Sequence, residues 1–122
     1  MSFTATRPLE YVAFFNFEIP TEEGKAYVFM ACDAYLDFVF NLNVETDKDS
    51  DTVLKNIYFL LEHPAFTKHL GQGFTLVLED FQELIPQIEG IIALEKGTVL
   101  FNKALNNVIS NPVLTSLLNS MR

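Results

Sequence analysis

The chain has 122 residues, 49% of them hydrophobic, and twelve are phenylalanines. This length and composition predict one folded domain with a substantial core and argue against intrinsic disorder. Sixteen acidic residues against eight basic ones give a formal net charge of -8. Since DNA-binding proteins gain most of their free energy by neutralising phosphates, this charge argues against an autonomous nucleic-acid binder. It does not exclude a nuclease, because metal-binding carboxylates also make an active site acidic.

The N-terminal segment and the single cysteine lead us to expect a cytoplasmic protein. Residues 1–10 lack the basic start and apolar stretch of a signal peptide, and we expect a loose N-terminal arm there. No apolar run in the sequence is long enough to span a bilayer. Cys32 lies in an apolar run, which predicts a buried, inert thiol in a reducing compartment.

The first half of the chain predicts three antiparallel strands. The aromatic-rich segment Tyr11 to Glu18 predicts the first strand, and residues 19–24 predict a turn into the second. Ala26 to Cys32 is an unbroken apolar run, typical of a strand covered on both faces. In the third strand apolar residues alternate with less apolar ones, and this period of two predicts a core-facing side. The members of that side are Leu36, Phe38, Phe40, Leu42 and Val44.

The second half of the chain alternates helices and strands. Apolar residues at helical spacing predict a helix from Asp51 to Glu62, with Ser50 or a neighbouring aspartate as its N-cap. A connector over residues 65–73 leads to Phe74 to Leu78, a short apolar run that predicts a buried strand. A second amphipathic helix is expected from about Leu84 to Glu95.

The last part of the chain predicts one more strand and a broken helix. Gly97 stands where a C-terminal cap glycine is expected, and Thr98 to Phe101 predicts the fifth strand. Lys103 to Ile109 is expected to be helical, and Asn111 and Pro112 predict the N-cap and first turn of a new helix. The resulting order, β-β-β-α-β-α-β-α, predicts a single α/β domain with a five-stranded mixed sheet and helices on both faces.

Three short motifs add a family resemblance to this element order. The segment Ile19 to Tyr27, IPTEEGKAY, is followed by Asp33, and Leu76 to Asp80 reads LVLED. The segment Asn111 to Ser116, NPVLTS, opens the last predicted helix. Together these motifs, over about residues 11–122, resemble the ribonuclease H-like catalytic core of retroviral-type integrases and related transposases. In such cores Asp33 would lie outside the catalytic set, and we expect it to fix the turn between the second and third strands.

The resemblance implies an active site built from three carboxylates. Such sites hold two Mg²⁺ ions, one activating the attacking oxygen and one stabilising the leaving oxygen. Counting back from the glycine turn places the first carboxylate at Phe15, and a small slip in register would place it at Asn16 or Glu18. Only Glu18 of these three could supply an anionic oxygen.

Of the other two positions implied by the resemblance, only one keeps an acid. The second carboxylate falls on Glu79 or Asp80, where an acid is present, but the third falls on Thr115, a neutral hydroxyl. Since one carboxylate of three is too little charge for two divalent cations, the resemblance implies an inactive member. We therefore expect no catalytic residues, no metal and no cofactor.

Three hypotheses follow for function. The first is a non-enzymatic module for contact with a protein partner or for self-association, possibly as a homodimer, without nucleic acid or membrane. The second is a metal-dependent nuclease or DNA strand-transferase whose carboxylates are rearranged to Glu18, Glu79 and Asp80. The third is an unrelated small α/β regulatory module, for instance of the anti-sigma-antagonist type, which would have fewer leading antiparallel strands.

Overall fold

The computed structural model describes residues 5–35, 39–67 and 72–120. Its five strands are β1 (Tyr11–Thr21), β2 (Gly24–Asp33), β3 (Val39–Glu45), β4 (Phe74–Leu78) and β5 (Gly97–Phe101). Its helices are α1 (Ser50–Glu62), α2 (Pro64–Thr67), α3 (Ile85–Ile92) and α4 (Lys103–Ser120), with short 3₁₀ turns at Gln82–Leu84 and Ala93–Glu95. Of the helices in these ranges, not one combines the length and hydropathy that a bilayer crossing needs.

The strands form one mixed sheet in the order β3-β2-β1-β4-β5. The pairs β1–β2 and β2–β3 are antiparallel, whereas β1–β4 and β4–β5 are parallel. Parallel neighbours require a crossover, and α1 and α3 supply the two crossovers here. The predicted mixed sheet and element order are confirmed, with α2 and the 3₁₀ turns as additions.

Two hydrophobic clusters cover the two faces of the sheet. Alternation along β1 directs Phe14 to the first cluster, which α1 and α3 cover, and Phe15 to the second, which α4 covers. Along β2, Phe29 and Met30 divide between the clusters in the same way. The predicted burial of β2 on both faces is confirmed over its second half, which is buried from Phe29 to Asp33.

The core-facing side predicted for β3 is only partly correct. Phe40 is fully buried and Leu42 is half-buried, but Val44 is 64% exposed. The predicted members Leu36 and Phe38 lie outside the described residues. The expected apolar side therefore ends after Leu42 instead of continuing to the end of the strand.

A β-bulge explains why the apolar side of β3 ends early. Leu42 is an extra residue between Asn41 and Asn43, whose partners on β2 are the adjacent residues Met30 and Phe29. Because side chains alternate along a strand, one extra residue moves every later side chain to the opposite face. The periodicity of the sequence contains no indication of this shift.

The predicted restart of the last helix at Asn111 is wrong, because α4 is continuous with Pro112 inside it. Asn102 caps its start, since its Oδ1 accepts a hydrogen bond of 2.9 Å from the backbone N of Leu105. Proline removes one backbone hydrogen bond, but an apolar stripe at helical spacing continues through it and packs on the sheet. The stripe consists of Leu105, Ile109 and Val113.

The prediction of Gly97 as a helix cap is also wrong. Lys96 ends the 3₁₀ turn in the left-handed conformation at φ 59°, and Gly97 begins β5. A Cβ atom on Gly97 would lie 2.7 Å from the ring of Phe74 and 2.9 Å from the Cβ of Ile92. Glycine is therefore required here by close packing and not by backbone conformation.

Residues 5–10 of the N-terminal segment contact the domain. Leu9 is buried, and its backbone N donates to Oδ1 of Asp33 at 3.1 Å. The guanidinium of Arg7 donates to the carbonyl oxygens of Gln72 and Gly73 at 3.2 and 3.0 Å. Asp33 also accepts from the backbone N of Tyr35 at 3.0 Å, which confirms its predicted role in the turn after β2.

Candidate functional site

A polar cleft of about 430 Å³ lies where β1 passes the carboxyl end of β4. The last parallel pair between these strands is Phe14 with Leu78, where β4 ends while β1 continues to Thr21. In sheets with parallel strands, the space outside the carboxyl ends of the strands is a common place for a ligand site. The residues that line the cleft are Asn16, Phe17, Glu18, Lys48, Glu79, Asp80 and Lys103.

The turn after β4 sets the positions of the two adjacent acids. Phe81 adopts the left-handed conformation at φ 64°, unusual for a bulky residue, and its ring is buried in the first cluster. The Oδ1 of Asp80 accepts a hydrogen bond of 2.8 Å from the backbone N of Phe81. One oxygen of Asp80 is therefore already engaged by its own turn.

Glu79 has the most perturbed environment in the cleft. Its side chain is half-buried, and loss of hydration raises the pKa of its carboxyl above the ordinary value of 4.5. The ammonium of Lys103 opposes this rise in pKa, and the nearby negative charge of Asp80 adds to it. Glu79 and Lys103 thus interact electrostatically across the cleft.

The β1 wall of the cleft also pairs acid with base. The carboxylate of Glu18 lies 3.4 Å from Nζ of Lys25, and both side chains are largely exposed, so this ion pair adds little stability. Lys48 places its Nζ 5.4 Å from the ring centroid of Tyr27, the ladder partner of Glu18. Glu18 is therefore paired with one ammonium group, and Lys48 lines the same cleft.

The structure separates the candidates for the first carboxylate position. Phe15 does not line the cleft, because its side chain is 2% exposed and belongs to the second cluster. Asn16 and Glu18, the two residues reached by a slip in register, line the cleft together with Glu79 and Asp80. The first residue of β1 that lines the cleft is thus an amide, and the acid comes two residues later.

Thr115, the third position implied by the resemblance, does not reach the cleft. It is exposed on α4, twelve residues beyond Lys103, or roughly 18 Å along the helix axis. The residue that α4 contributes to the cleft is Lys103, in the first turn of the helix. The error follows from the predicted helix start at Asn111, since the true start is eight residues earlier.

Sequence reasoning missed both lysines of the cleft. Lys103 could have been found, because it lies two residues after β5, whose carboxyl end lies beside that of β4. Lys48 could not, because it lies between β3 and α1 and reaches the cleft only through the folded path of that connection.

A buried asparagine joins α4 to the strands that form the base of the cleft. Nδ2 of Asn106 donates to the carbonyl oxygens of Phe14 and Val77, at 3.1 and 2.8 Å. Its Oδ1 accepts a hydrogen bond of 3.4 Å from the hydroxyl of Ser110. Because Asn106 lies one turn after Lys103, these bonds fix the start of α4, and with it Lys103, against the strand ends.

The donor groups of the cleft do not fit a pair of divalent cations. Within residues 5–35, 39–67 and 72–120, no group of three or more His, Cys, Asp or Glu side chains is arranged to hold a metal ion. Two hard cations need several converging oxygen ligands. The three carboxylates of the cleft share it with the ammonium groups of Lys48 and Lys103, and Glu18 is also paired with Lys25.

Comparisons with known proteins bear on the fold alone. No family model matches the sequence, and no curated protein matches it. Among solved structures, the chain is similar to the HTLV-2 integrase catalytic core domain, determined in complex with magnesium in a trimeric form. The TM-score is 0.64 at 10% sequence identity, over 93% of this chain and 72% of the integrase chain. The chain therefore has an integrase-core-like, ribonuclease H-like fold, as its element order predicts.

Proposed function

We propose that this chain is a catalytically inactive domain with the integrase-core fold and that it serves in protein–protein contact or self-association. The observation that carries the proposal is the charge composition of the cleft. Its carboxylates are Glu18, Glu79 and Asp80, and ammonium groups from Lys48 and Lys103 line the same space. A site for two Mg²⁺ ions needs excess negative charge, and this cleft is close to neutral.

The positions of individual side chains support the same conclusion. The first cleft-lining residue of β1 is Asn16, whose amide cannot bridge two cations as a carboxylate does. One oxygen of Asp80 is engaged by the backbone N of Phe81. Lys103 lies close enough to Glu79 to oppose the rise in its pKa, so a cation bound there would meet an existing positive charge.

Titration with Mg²⁺ and Mn²⁺ by calorimetry, combined with cleavage assays on DNA and RNA, tests the inactivity. We expect neither saturable metal binding nor metal-dependent cleavage. Saturable binding together with cleavage that is lost in Asp80→Asn would overturn the proposal. Glu83→Gln, which changes an exposed glutamate outside the cleft, is the matched control for the loss of a single carboxylate.

One observation favours the second hypothesis, a metal-dependent nuclease or strand-transferase. Glu18, Glu79 and Asp80, the rearranged carboxylates of that hypothesis, do line one cleft. For them to bind a metal, the ammonium of Lys103 would have to move away from Glu79. The same titration decides between the hypotheses. Only the enzyme hypothesis requires a metal-dependent reaction, and that reaction should be lost in the Asp80→Asn variant.

The interaction role rests on charge and on exposed apolar side chains. The net charge of -8 opposes contact with nucleic acid. Several large hydrophobic side chains are at least about one third exposed, and such residues commonly take part in protein interfaces. They are Tyr35, Val44, Tyr58, Phe59, Leu94, Leu100, Phe101 and Val108. The three leading antiparallel strands argue against the third hypothesis, a small regulatory module.

Sedimentation velocity over a wide range of protein concentration tests the interaction role. We expect a reversible increase in sedimentation coefficient with concentration, or binding of a protein partner by a chain that stays monomeric. The role would be contradicted by a chain that stays monomeric at all concentrations and that captures no protein in proximity-labelling or cross-linking experiments in its native host cell.

A further inference from the structure

Several charged groups of the cleft face one another without pairing. Glu79 and Lys103 line the same space, yet within the described ranges neither side chain forms an ion pair or a hydrogen bond. Asp80 uses Oδ1 to accept from the next backbone N–H, and its other carboxylate oxygen has no hydrogen-bond partner among the residues described. The cleft therefore presents acidic and basic groups that are both available to a ligand.

The available charges of the cleft are equal in number and opposite in sign. The carboxylate of Glu18 is matched by Lys25 at 3.4 Å. The remaining lining charges are two carboxylates and two ammonium groups. They are Glu79, Asp80, Lys48 and Lys103. A simple anion or a simple cation would meet a like charge in this space, whereas a ligand that carries both signs and no net charge is complementary to it.

The positions of these groups give the cleft a negative and a positive side. Glu79 and Asp80 directly follow β4. Loss of hydration raises the pKa of Glu79, and an ammonium group bound beside it would favour its charged form. Lys103 is the first residue of α4, so the positive end of the helix dipole lies on the same side as its ammonium. The bonds of Asn106 to two strand carbonyls hold this helix start in place.

We propose that the cleft is a binding site for a small zwitterion, a free α-amino acid with an uncharged polar side chain. The ammonium group of the ligand binds Glu79 and Asp80, and its carboxylate binds Lys103. The volume of about 430 Å³ lies within the range of small-molecule sites. A polar side chain is favoured because every lining residue except Phe17 is charged or an amide, and the amide of Asn16 offers both a donor and an acceptor. This site goes beyond the proposed function, since it requires neither a metal nor a second protein.

Isothermal titration calorimetry with L-glutamine and two matched analogues tests the class of ligand. 4-Aminobutanamide is glutamine without its carboxylate, and glutaramic acid is glutamine without its ammonium, so both keep the side-chain amide. We expect saturable binding of L-glutamine and about tenfold weaker binding of each analogue, because each loses one charged contact. An analogue that binds as tightly as glutamine would overturn the inference. So would the absence of saturable binding by all three of L-glutamine, L-asparagine and L-serine.

Substitutions that remove one charge from the cleft test where the ligand lies. Glu79→Gln should weaken the binding of glutamine about tenfold and leave that of glutaramic acid unchanged, because glutaramic acid has no ammonium. Lys103→Met should weaken glutamine by a similar factor and leave 4-aminobutanamide unchanged, because that analogue has no carboxylate. A general loss of structure would weaken every ligand alike and could not produce this reciprocal pattern.

Glu83→Gln is the matched control, because it neutralises an exposed glutamate outside the cleft and should leave the affinity for glutamine unchanged. Circular dichroism of each variant establishes that the fold is intact. Glutamine binding that resists both Glu79→Gln and Lys103→Met would place the ligand elsewhere and overturn the inference. The proposed function is judged separately, because metal-dependent cleavage of nucleic acid would overturn it whether or not the chain binds an amino acid.

Discussion

Two buried asparagines on opposite faces of the sheet meet very different surroundings. Asn56 on α1 and Asn106 on α4 are both fully buried. Nδ2 of Asn106 bonds two strand carbonyls, and its Oδ1 accepts from Ser110. Nδ2 of Asn56 donates to Oε2 of Glu45 at 3.0 Å and to the carbonyl of Thr52 at 2.9 Å, while its Oδ1 has no hydrogen-bond partner among the described residues.

The difference shows which contacts each face of the sheet depends on. Removing a donor that satisfies buried carbonyls costs the full desolvation of those groups, whereas removing a side chain with an unsatisfied atom relieves a cost. The α4 face therefore depends on a polar contact beneath the cleft. For the face covered by α1 and α3, we expect apolar packing to matter most and the buried amide of Asn56 to matter less.

Asn106→Leu should have the largest effect of the substitutions proposed below. It leaves the carbonyls of Phe14 and Val77 buried without their donor, and we expect a loss of about 3 kcal/mol in the free energy of unfolding. Urea unfolding followed by circular dichroism measures the loss. Ser110→Ala is the control, because it removes only the long bond to Oδ1 and should cost far less. A loss under about 0.5 kcal/mol for Asn106→Leu would mean that water satisfies both carbonyls.

Gly97→Ala tests the opposite face, where packing should decide stability. The added methyl group would lie 2.7 Å from the ring of Phe74 and 2.9 Å from Ile92, both in the first cluster. Overpacking of this kind typically costs about 2 kcal/mol, and thermal unfolding should show a lower midpoint. Gly90→Ala is the matched control, because a Cβ there meets no atom within 4 Å and lies in a helix. Equal effects of the two substitutions would contradict the packing role of Gly97.

The sequence predicts local features of this fold well because they depend on neighbours along the chain. The predicted bounds of β4, Phe74 to Leu78, agree with the structure. The N-cap of α1 is Asp49, the aspartate next to Ser50, as predicted. The bulge at Leu42 could not be predicted, because it depends on the register against β2. The continuity of α4 through Pro112 depends on apolar packing against the sheet, which outweighs the local cost of proline.

The cleft is predicted less completely for a related reason. Glu79 and Asp80 are recognisable because they end a buried strand, and the topology brings Glu18 to them. The lysines and the supporting bonds of Asn106 reach the site from elements far along the chain. The family motif placed the third position at Thr115, because it implied a helix start at Asn111, whereas α4 starts at Lys103.

Asn56→Leu should change stability far less than Asn106→Leu. The substitution removes the unsatisfied Oδ1, and Glu45 keeps its ion pair with Lys55 at 2.9 Å. Since replacing a poorly paired polar group by an apolar one of similar size is often neutral, we expect a change within about 1 kcal/mol, in either direction. The same urea experiment measures it. A loss as large as that of Asn106→Leu would show that the bonds of Asn56 to Glu45 and Thr52 are essential.

Glu79→Gln should produce the smallest change, and one that depends on pH. Burial raises the pKa of Glu79 in the folded state above its ordinary value of 4.5, so the folded chain binds more protons than the unfolded chain in the interval above that value. The contribution of Glu79 to stability must therefore fall as pH rises from 4.5 to the raised pKa and stay low above it. Glu79→Gln should remove this dependence and be slightly stabilising at neutral pH.

Lys103→Met should strengthen the dependence, because Lys103 opposes the rise in pKa. Urea unfolding at a series of pH values, with Glu83→Gln as the exposed control, measures these slopes, and identical slopes for wild type and Glu79→Gln would show that the cleft leaves Glu79 as hydrated as a surface glutamate.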